Sequence, residues 1–200
     1  MIVPLPLFLT LANACAPQVA SETLQAVVRV ESGFDALAIG VNGAPGLRAR
    51  AKTAQEAGAT ARALIRQGRS VDLGLGQINS ANLNRLGLSI EAAFDPCRNL
   101  TAAAQILSEG YARARARHAD DQAALRAALS LYNTGHETRG LKNGYVAKVL
   151  AAAPSAPARP AAAAAALPVP PWDVFGHAHA AETFFITVSA PAASEAGDLP

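Results

Sequence analysis

The 200 residues carry a net charge of +2 and a 51% hydrophobic content, which allows one ordinary domain plus extra chain; the apolar share comes mainly from alanine and favours helices over strands. Through Ala153 there are 16 Lys and Arg against 11 Asp and Glu, and beyond it 1 against 4, so the body is mildly basic and the tail acidic. A basic body suits an anionic polymer, but the excess is spread out and lacks aromatic interleaving, which argues against a nucleic-acid groove, and no run approaches the roughly 18 apolar residues of a membrane helix.

Met1 to Leu11 is apolar but has two prolines and no Lys or Arg, a poor fit to a secretory leader, and Ala-Asn-Ala ahead of Cys15 is discounted as a processing site for the same reason. Phe8 to Cys15 reads as a short helix, and Pro17 separates it from a second helix over Ser21 to Ser32. Ser21 is its capping residue, Glu22 lies in the first turn and Gly33 is the stop. Leu24, Val27 and Val28 form the stripe that turns toward a core, and Glu31 is the next position on that stripe. Desolvation and the negative end of the helix dipole both push a carboxyl there upward. An acid that keeps its proton near neutrality is what glycoside cleavage needs to protonate a leaving oxygen. The alternative is a boundary residue whose carboxylate reaches water.

Phe34 to Arg50, with Gly40, Asn42-Gly43, Pro45 and Gly46, reads as a long loop. Thr53-Ala54-Gln55-Glu56 is a capping box, opening a helix to Gln67 with Gly68 in a left-handed conformation. Asp72-Leu73-Gly74-Leu75-Gly76-Gln77-Ile78-Asn79 combines glycines that let backbone approach a ligand with two amides that donate and accept. A glycine-rich turn whose amides only cap the next helix is the other reading. Ser80 to Leu86 and Ser89 to Phe94 read as short helices. Asn99 can cap a long helix to about Arg117, buried through Leu100, Ala103, Ala104, Leu107, Tyr111 and Ala114, with Arg113, Arg115 and Arg117 in a solvated last turn. Asp120 or Asp121 starts the next helix, with the stripe Leu125, Ala128, Leu129 and Tyr132. Tyr132 is first a core candidate, although its hydroxyl can point into a cleft. A last helix spans Tyr145 to Ala152.

The two cysteines, Cys15 and Cys97, leave two readings open. One is a single disulfide in an oxidising compartment, contributing on the order of 4 kcal/mol in the loop-entropy model; the other is two unrelated buried thiols. Neither has a partner at metal-ligand spacing. From Pro154 the composition turns to Pro and Ala, which reads as a linker or disordered tail. Within it Trp172-Asp173-Val174-Phe175 is either a docking peptide or a segment folding back on the body. His177-Ala178-His179 lacks a third ligand in view.

Four blocks, in order, resemble the lysozyme-like lytic transglycosylase family, in the branch that accompanies bacterial type IV secretion and conjugation systems. They are Val28-Arg29-Val30-Glu31-Ser32-Gly33-Phe34, Gly74-Leu75-Gly76-Gln77-Ile78-Asn79, Ala128-Leu129-Ser130-Leu131-Tyr132-Asn133-Thr134-Gly135 and Asn143-Gly144-Tyr145-Val146. Cys15 and Cys97 are similar to the cysteine positions of that branch, which implies a disulfide between them. The resemblance implies an all-α, mainly helical fold around a glycan cleft over residues 1–153, followed by a disordered Pro/Ala-rich tail over 154–200 whose 172–175 peptide is similar to tails of the branch. It implies Glu31 as the single catalytic acid. Gln77, Asn79, Tyr132, Asn133 and Tyr145 would line the cleft, with Ser32 beside the acid and Gly74 and Leu75 giving backbone contacts.

The implied reaction cuts the bond between N-acetylmuramic acid and N-acetylglucosamine in peptidoglycan. Glu31 acts first as acid, then as base toward the C6 hydroxyl, leaving a 1,6-anhydro-muramyl end. The implied location is the periplasm and the implied partners are peptidoglycan and, through the tail, secretion components, with no cofactor, no metal and no nucleic acid. No second carboxylate is assigned, since Asp35 lies past Gly33 and Asp72 is remote in sequence. Gly76 stands where relatives outside the branch usually have methionine, which would remove a side chain from the cleft wall. Three rival readings remain: a hydrolase of the same fold giving reducing ends, a non-catalytic scaffold in a secretion apparatus, and a nucleic-acid-binding helical protein.

Overall fold

Residues 1–43, 48–49 and 51–154 are described by a computed structural model. The tail beyond residue 154, with its 172–175 peptide and its histidine pair, lies outside the described residues. Helices carry most of the rest: α1 (Leu5–Cys15), α2 (Ser21–Glu31), α3 (Ala54–Arg66), α4 (Pro96–Arg115), α5 (Asp121–Thr134), α6 (Arg139–Lys142) and α7 (Tyr145–Ala152). None of them is long and apolar enough to cross a membrane.

Capping explains most of the boundaries. The α3 box forms as the sequence predicts, with the Thr53 hydroxyl accepting from the Glu56 N–H at 3.1 Å, while the Glu56 carboxylate accepts from Lys52 N at 2.8 Å, one residue further out. Gly68 and Arg69 donate back to Ile65 and Leu64 and close its C-terminus. Three boundaries differ from expectation. The first helix starts at Leu5, because Pro6 fits a first turn that has no intrahelical N–H bond to lose. Ala20, not Ser21, caps α2, and the Ser21 hydroxyl turns to the Glu22 carboxylate at 3.1 Å. Asp95, not Asn99, caps α4 by accepting from Arg98 N at 2.8 Å, with Pro96 as the first helical residue.

The stretch expected to be one long loop contributes strands instead. β1 (Ile39–Val41) pairs with β2 (Arg48–Ala49) and with β3 (Val71–Leu73), which pairs in turn with β4 (Ile78–Asn79), all antiparallel in the order β2-β1-β3-β4. The register aligns Gly40, Asp72 and Asn79 across the sheet. Strands this short hold one alternation at most, so the sequence carries no period to find. The two helices expected between Ser80 and Phe94 are single 3-10 turns at Ser80–Asn82 and Ala92–Phe94.

Two apolar clusters divide the protein. One joins α1, α2, α5, α7 and one face of α4 around Phe8, Leu24, Leu100, Leu107 and Leu129. The other packs the sheet, through Ile39, Leu73 and Ile78, on α3 and on Ala102 and Ala103 of α4. Each fully buried Leu or Ile contributes roughly 1.5–3 kcal/mol. Tyr132 packs against both clusters and marks the seam between them. Cys15 and Cys97 form a disulfide, with Cα atoms 5.4 Å apart, that ties the end of α1 to the start of α4. The Thr101 hydroxyl is shared between the Cys15 and Cys97 carbonyls at 2.8 and 3.0 Å.

Candidate active site

Glu31 is the last residue of α2 and is half-buried. The fully buried Leu24, Val27 and Val28 fix the rotation of the helix and so place the carboxylate on the inward side. Gly33 and Phe34 both take left-handed backbone, φ 62° and 67°, and turn the chain sharply away just beyond it. Tyr145, the first residue of α7, donates its hydroxyl to Glu31 Oε1 at 2.5 Å, across 114 residues of sequence. Burial, then the Glu31 charge, then Tyr132 push the Tyr145 phenol far above its ordinary range, so it is a fixed donor and never a base.

Asn143 holds Tyr145 in place. Its Oδ1 accepts from Tyr145 N at 2.9 Å, and its Nδ2 donates to Asn133 Oδ1 at 3.0 Å. The end of α5 is thereby tied to the start of α7. Asn133 itself is exposed. Gly140 lies so close to Ser130 that a Cβ there would stand 2.7 Å from the Ser130 Cα, and the Ser130 hydroxyl accepts from Gly140 N at 2.8 Å.

Opposite this helical half lies the turn between β3 and β4. Gly74 has φ 73°, and a side chain there would collide with the Ala93 carbonyl and the Asn99 amide. Asn99, buried in α4, secures the turn with every arm of its amide: Oδ1 accepts from Gly76 N at 2.7 Å, and Nδ2 donates to Leu73 O at 2.9 Å and Ala93 O at 2.7 Å. The Tyr132 hydroxyl donates to Gly76 O at 2.6 Å. A Cβ at Gly76 would stand 2.8 Å from that hydroxyl and 2.9 Å from the Ala103 Cβ. The glycine therefore leaves no gap in a wall, contrary to the expectation from sequence; its missing side chain is the space in which Tyr132 sits.

Gln77 also has left-handed backbone, φ 49°, held by Nε2 donating to Gly74 O at 2.9 Å and Ala38 O at 3.2 Å. Such a conformation costs on the order of 1 kcal/mol in a residue with a side chain. Asn79 fulfils its capping reading, accepting from Ala81 N at 2.9 Å, while its Nδ2 reaches Asp72 Oδ1 at 2.7 Å and Ser70 Oγ at 2.9 Å. Leu75 is fully buried in the first apolar cluster. Ser32 is buried too, its hydroxyl donating back to Val28 O at 3.3 Å. Both lie behind the site rather than at its surface.

Burial, then the charges of Glu31 and Asp72, raise the Tyr132 phenol well above its ordinary value. Glu31, Tyr132 and Tyr145 thus form one electrostatic group at the seam, with the β3–β4 turn against it. Sequence reasoning missed Asn99 and Asn143 as supports of this site, and it left Asp72 unassigned. Asn143-Gly144 ahead of a helix was a usable signal for Asn143. Nothing local distinguishes Asn99 from a cap. Among the described residues no three His, Cys, Asp or Glu side chains gather as a metal ion would require. What the arrangement offers is one carboxylate positioned by a phenol, beside a backbone turn held rigid from below.

The chain belongs to the transglycosylase SLT domain family, which matches residues 8–152 and so takes in every residue of this group. Its relatives narrow the class. It is 43% identical over 152 residues to the type IV secretion system protein virB1 of Brucella abortus (strain 2308), covering 73% of this chain and 63% of that one. It is 42% identical over 146 residues to protein virB1 of Agrobacterium fabrum, covering 73% and 59%, and 44% identical over 144 residues to protein virB1 of Rhizobium radiobacter, covering 72% and 59%. The chain spans about three-fifths of the length of the curated relatives it matches. No solved structure gives a significant match.

Proposed function

We propose that this chain is a peptidoglycan lytic transglycosylase that opens the cell wall locally for a type IV secretion or conjugation apparatus. The observation that carries this reading is the 2.5 Å hydrogen bond from Tyr145 to Glu31, in a chain of the transglycosylase SLT family. Glu31, protonated, donates to the glycosidic oxygen between N-acetylmuramic acid and N-acetylglucosamine, and an oxocarbenium-like centre develops at the muramic acid C1. The substrate's own N-acetyl group shields that centre. The Glu31 carboxylate then accepts the proton of the C6 hydroxyl as its oxygen bonds to C1, giving the 1,6-anhydro end without water. Tyr145 keeps the carboxyl oriented through both transfers, which is where positioning lowers the barrier.

Gln77, Asn79, Tyr132 and Asn133 orient the sugars, and Gly74, Leu75 and Ser32 support them from behind. Residues 1–153 form the catalytic unit. The 154–200 tail, through its 172–175 peptide, reaches the secretion components. The Cys15–Cys97 disulfide suits the oxidising periplasm in which the substrate lies.

Release of anhydro-muropeptides from purified peptidoglycan by the wild type and by Glu31→Gln tests the reading. The variant keeps the shape and the Tyr145 contact but has no proton to give. Its activity is expected to fall by on the order of 1,000-fold or more. Activity unchanged in Glu31→Gln would sink the assignment.

A further inference from the structure

A row of polar groups runs along the open side of the sheet. In β3, Val71 and Leu73 are fully buried in the second apolar cluster, so Asp72 between them turns to the opposite face. From the next strand, Asn79 Nδ2 donates both to Asp72 Oδ1 at 2.7 Å and to Ser70 Oγ at 2.9 Å. Asn42 Nδ2 donates to the same Ser70 oxygen at 3.2 Å. One amide thus sets Ser70 on the face of Asp72, about 7 Å further along the chain.

Ser70 also forms part of a separate groove. This groove, about 640 Å³ in volume, lies between the end of α3 and the chain from Ser80 to Ile90. Its floor is apolar, with Leu83 and Leu88 buried and Ile65 and Ile90 half-buried. Arg69 stands exposed at its rim, where its N–H closes α3 by donating to Leu64 O at 3.0 Å. Among the described residues it is the only charged one lining the groove, and no ion pair among them takes it up. An apolar floor beside a guanidinium suits a short peptide with small apolar side chains and a carboxylate, which the planar fork of arginine matches.

Peptidoglycan presents such a peptide. The lactyl group of each N-acetylmuramic acid carries a stem peptide that contains alanine and free carboxylates, so a glycan strand on the sheet face projects acidic peptide beside it. We propose that this groove is a further binding site of the chain, for the acidic stem peptide of peptidoglycan. Arg69 pairs with a stem carboxylate, and the Leu83 and Leu88 floor receives alanine methyl groups. Ser70 and Asn79, joined by their hydrogen bond, connect the sugar face to the peptide groove. This rests on the peptidoglycan reading of the previous section and adds a preference to it: glycan that bears its peptides is taken over glycan that has lost them.

The test uses the full chain on soluble peptidoglycan strands, either bearing their stem peptides or stripped of them by an amidase. Turnover is read as kcat/KM for release of anhydro ends. Binding is read by titration calorimetry in the Glu31→Gln chain, which holds the strands without cutting them. The peptide-bearing strands are expected to be favoured by about tenfold in both readouts, as one charge-assisted hydrogen bond provides. Arg69→Glu reverses the charge, and Ala81→Trp fills the groove from an exposed position. Each is expected to bring the two substrates close to parity while melting like the wild type, and either one carries the test if the other does not fold. A preference kept in the folded variants, or none in the unaltered groove, would overturn the proposal while leaving Glu31 as the acid. It would also be overturned by an equal loss on both substrates, as from a groove that holds sugars. Tighter binding in Arg69→Glu, as from a groove filled by the chain's own 154–200 segment, would overturn it as well. Activity in Glu31→Gln would instead overturn the reading on which it rests.

Discussion

Glu31 and Tyr145 stand at helix ends, whereas Gly74, Gly76 and Gln77 belong to a turn between strands of three and two residues. The first pair is aimed by packing: α2 and α7 lie against each other, and their buried stripes leave the terminal residues one direction to point. The turn is aimed by a few hydrogen bonds: Asn99 holds three of its backbone groups or their neighbours from below, and the Tyr132 hydroxyl and the Gln77 amide hold the Gly76 and Gly74 carbonyls. A side chain on a packed helix is insensitive to any one contact. A turn suspended from a few hydrogen bonds, most of them to one residue, is not.

Four variants probe that contrast, from the largest effect to the smallest. Cys15→Ala with Cys97→Ala removes a closure over 82 residues, worth about 4 kcal/mol in the loop-entropy model. The loss falls on folding, through α1 and α4, so denaturant titration is expected to show it while the folded fraction keeps its turnover. Asn99→Ala strands the Gly76 N–H and the Leu73 and Ala93 carbonyls, at a cost of about 3 kcal/mol. Unlike the disulfide variant, it is expected to lose turnover in proportion beyond its loss of stability, because the turn itself is released.

Gly76→Ala places a methyl group 2.8 Å from the Tyr132 hydroxyl. Displacing Tyr132 is expected to cost about 2 kcal/mol, which calorimetry would read, and to reduce turnover with it. Tyr145→Phe keeps the ring in the helical core and removes only the hydroxyl bonded to Glu31. Stability is expected to change by about 1 kcal/mol and turnover by about tenfold. If Tyr145→Phe proved more damaging than Asn99→Ala, the helical half would be the fragile one, and the contrast would be reversed.

The same contrast explains what was legible in the sequence. Leu24, Val27 and Val28 announce α2 and the side to which Glu31 belongs, because a helix repeats its pattern several times. Thr53 and Glu56, Asp120, Gly135 and Gly144 mark ends through chemistry that acts within four residues. Val71-Asp72-Leu73 alternates only once, so neither the strand nor the outward face of Asp72 can be read from it. Asn99 looks like a cap because its three partners, at 73, 76 and 93, lie up to 26 residues away. Gly76 looks like a missing wall because Tyr132, which occupies the space, is 56 residues distant. Side-chain roles set by local pattern are visible in sequence, and roles set by what approaches from elsewhere are not.

The most direct measurement is mass spectrometry of the muropeptides released from purified peptidoglycan by the wild-type chain, with Glu31→Gln beside it. Glu31 acting first as acid and then as base yields 1,6-anhydro-muramyl ends from the wild type and none above background from Glu31→Gln. Reducing ends alone from the wild type, or anhydro ends from the variant, would contradict it.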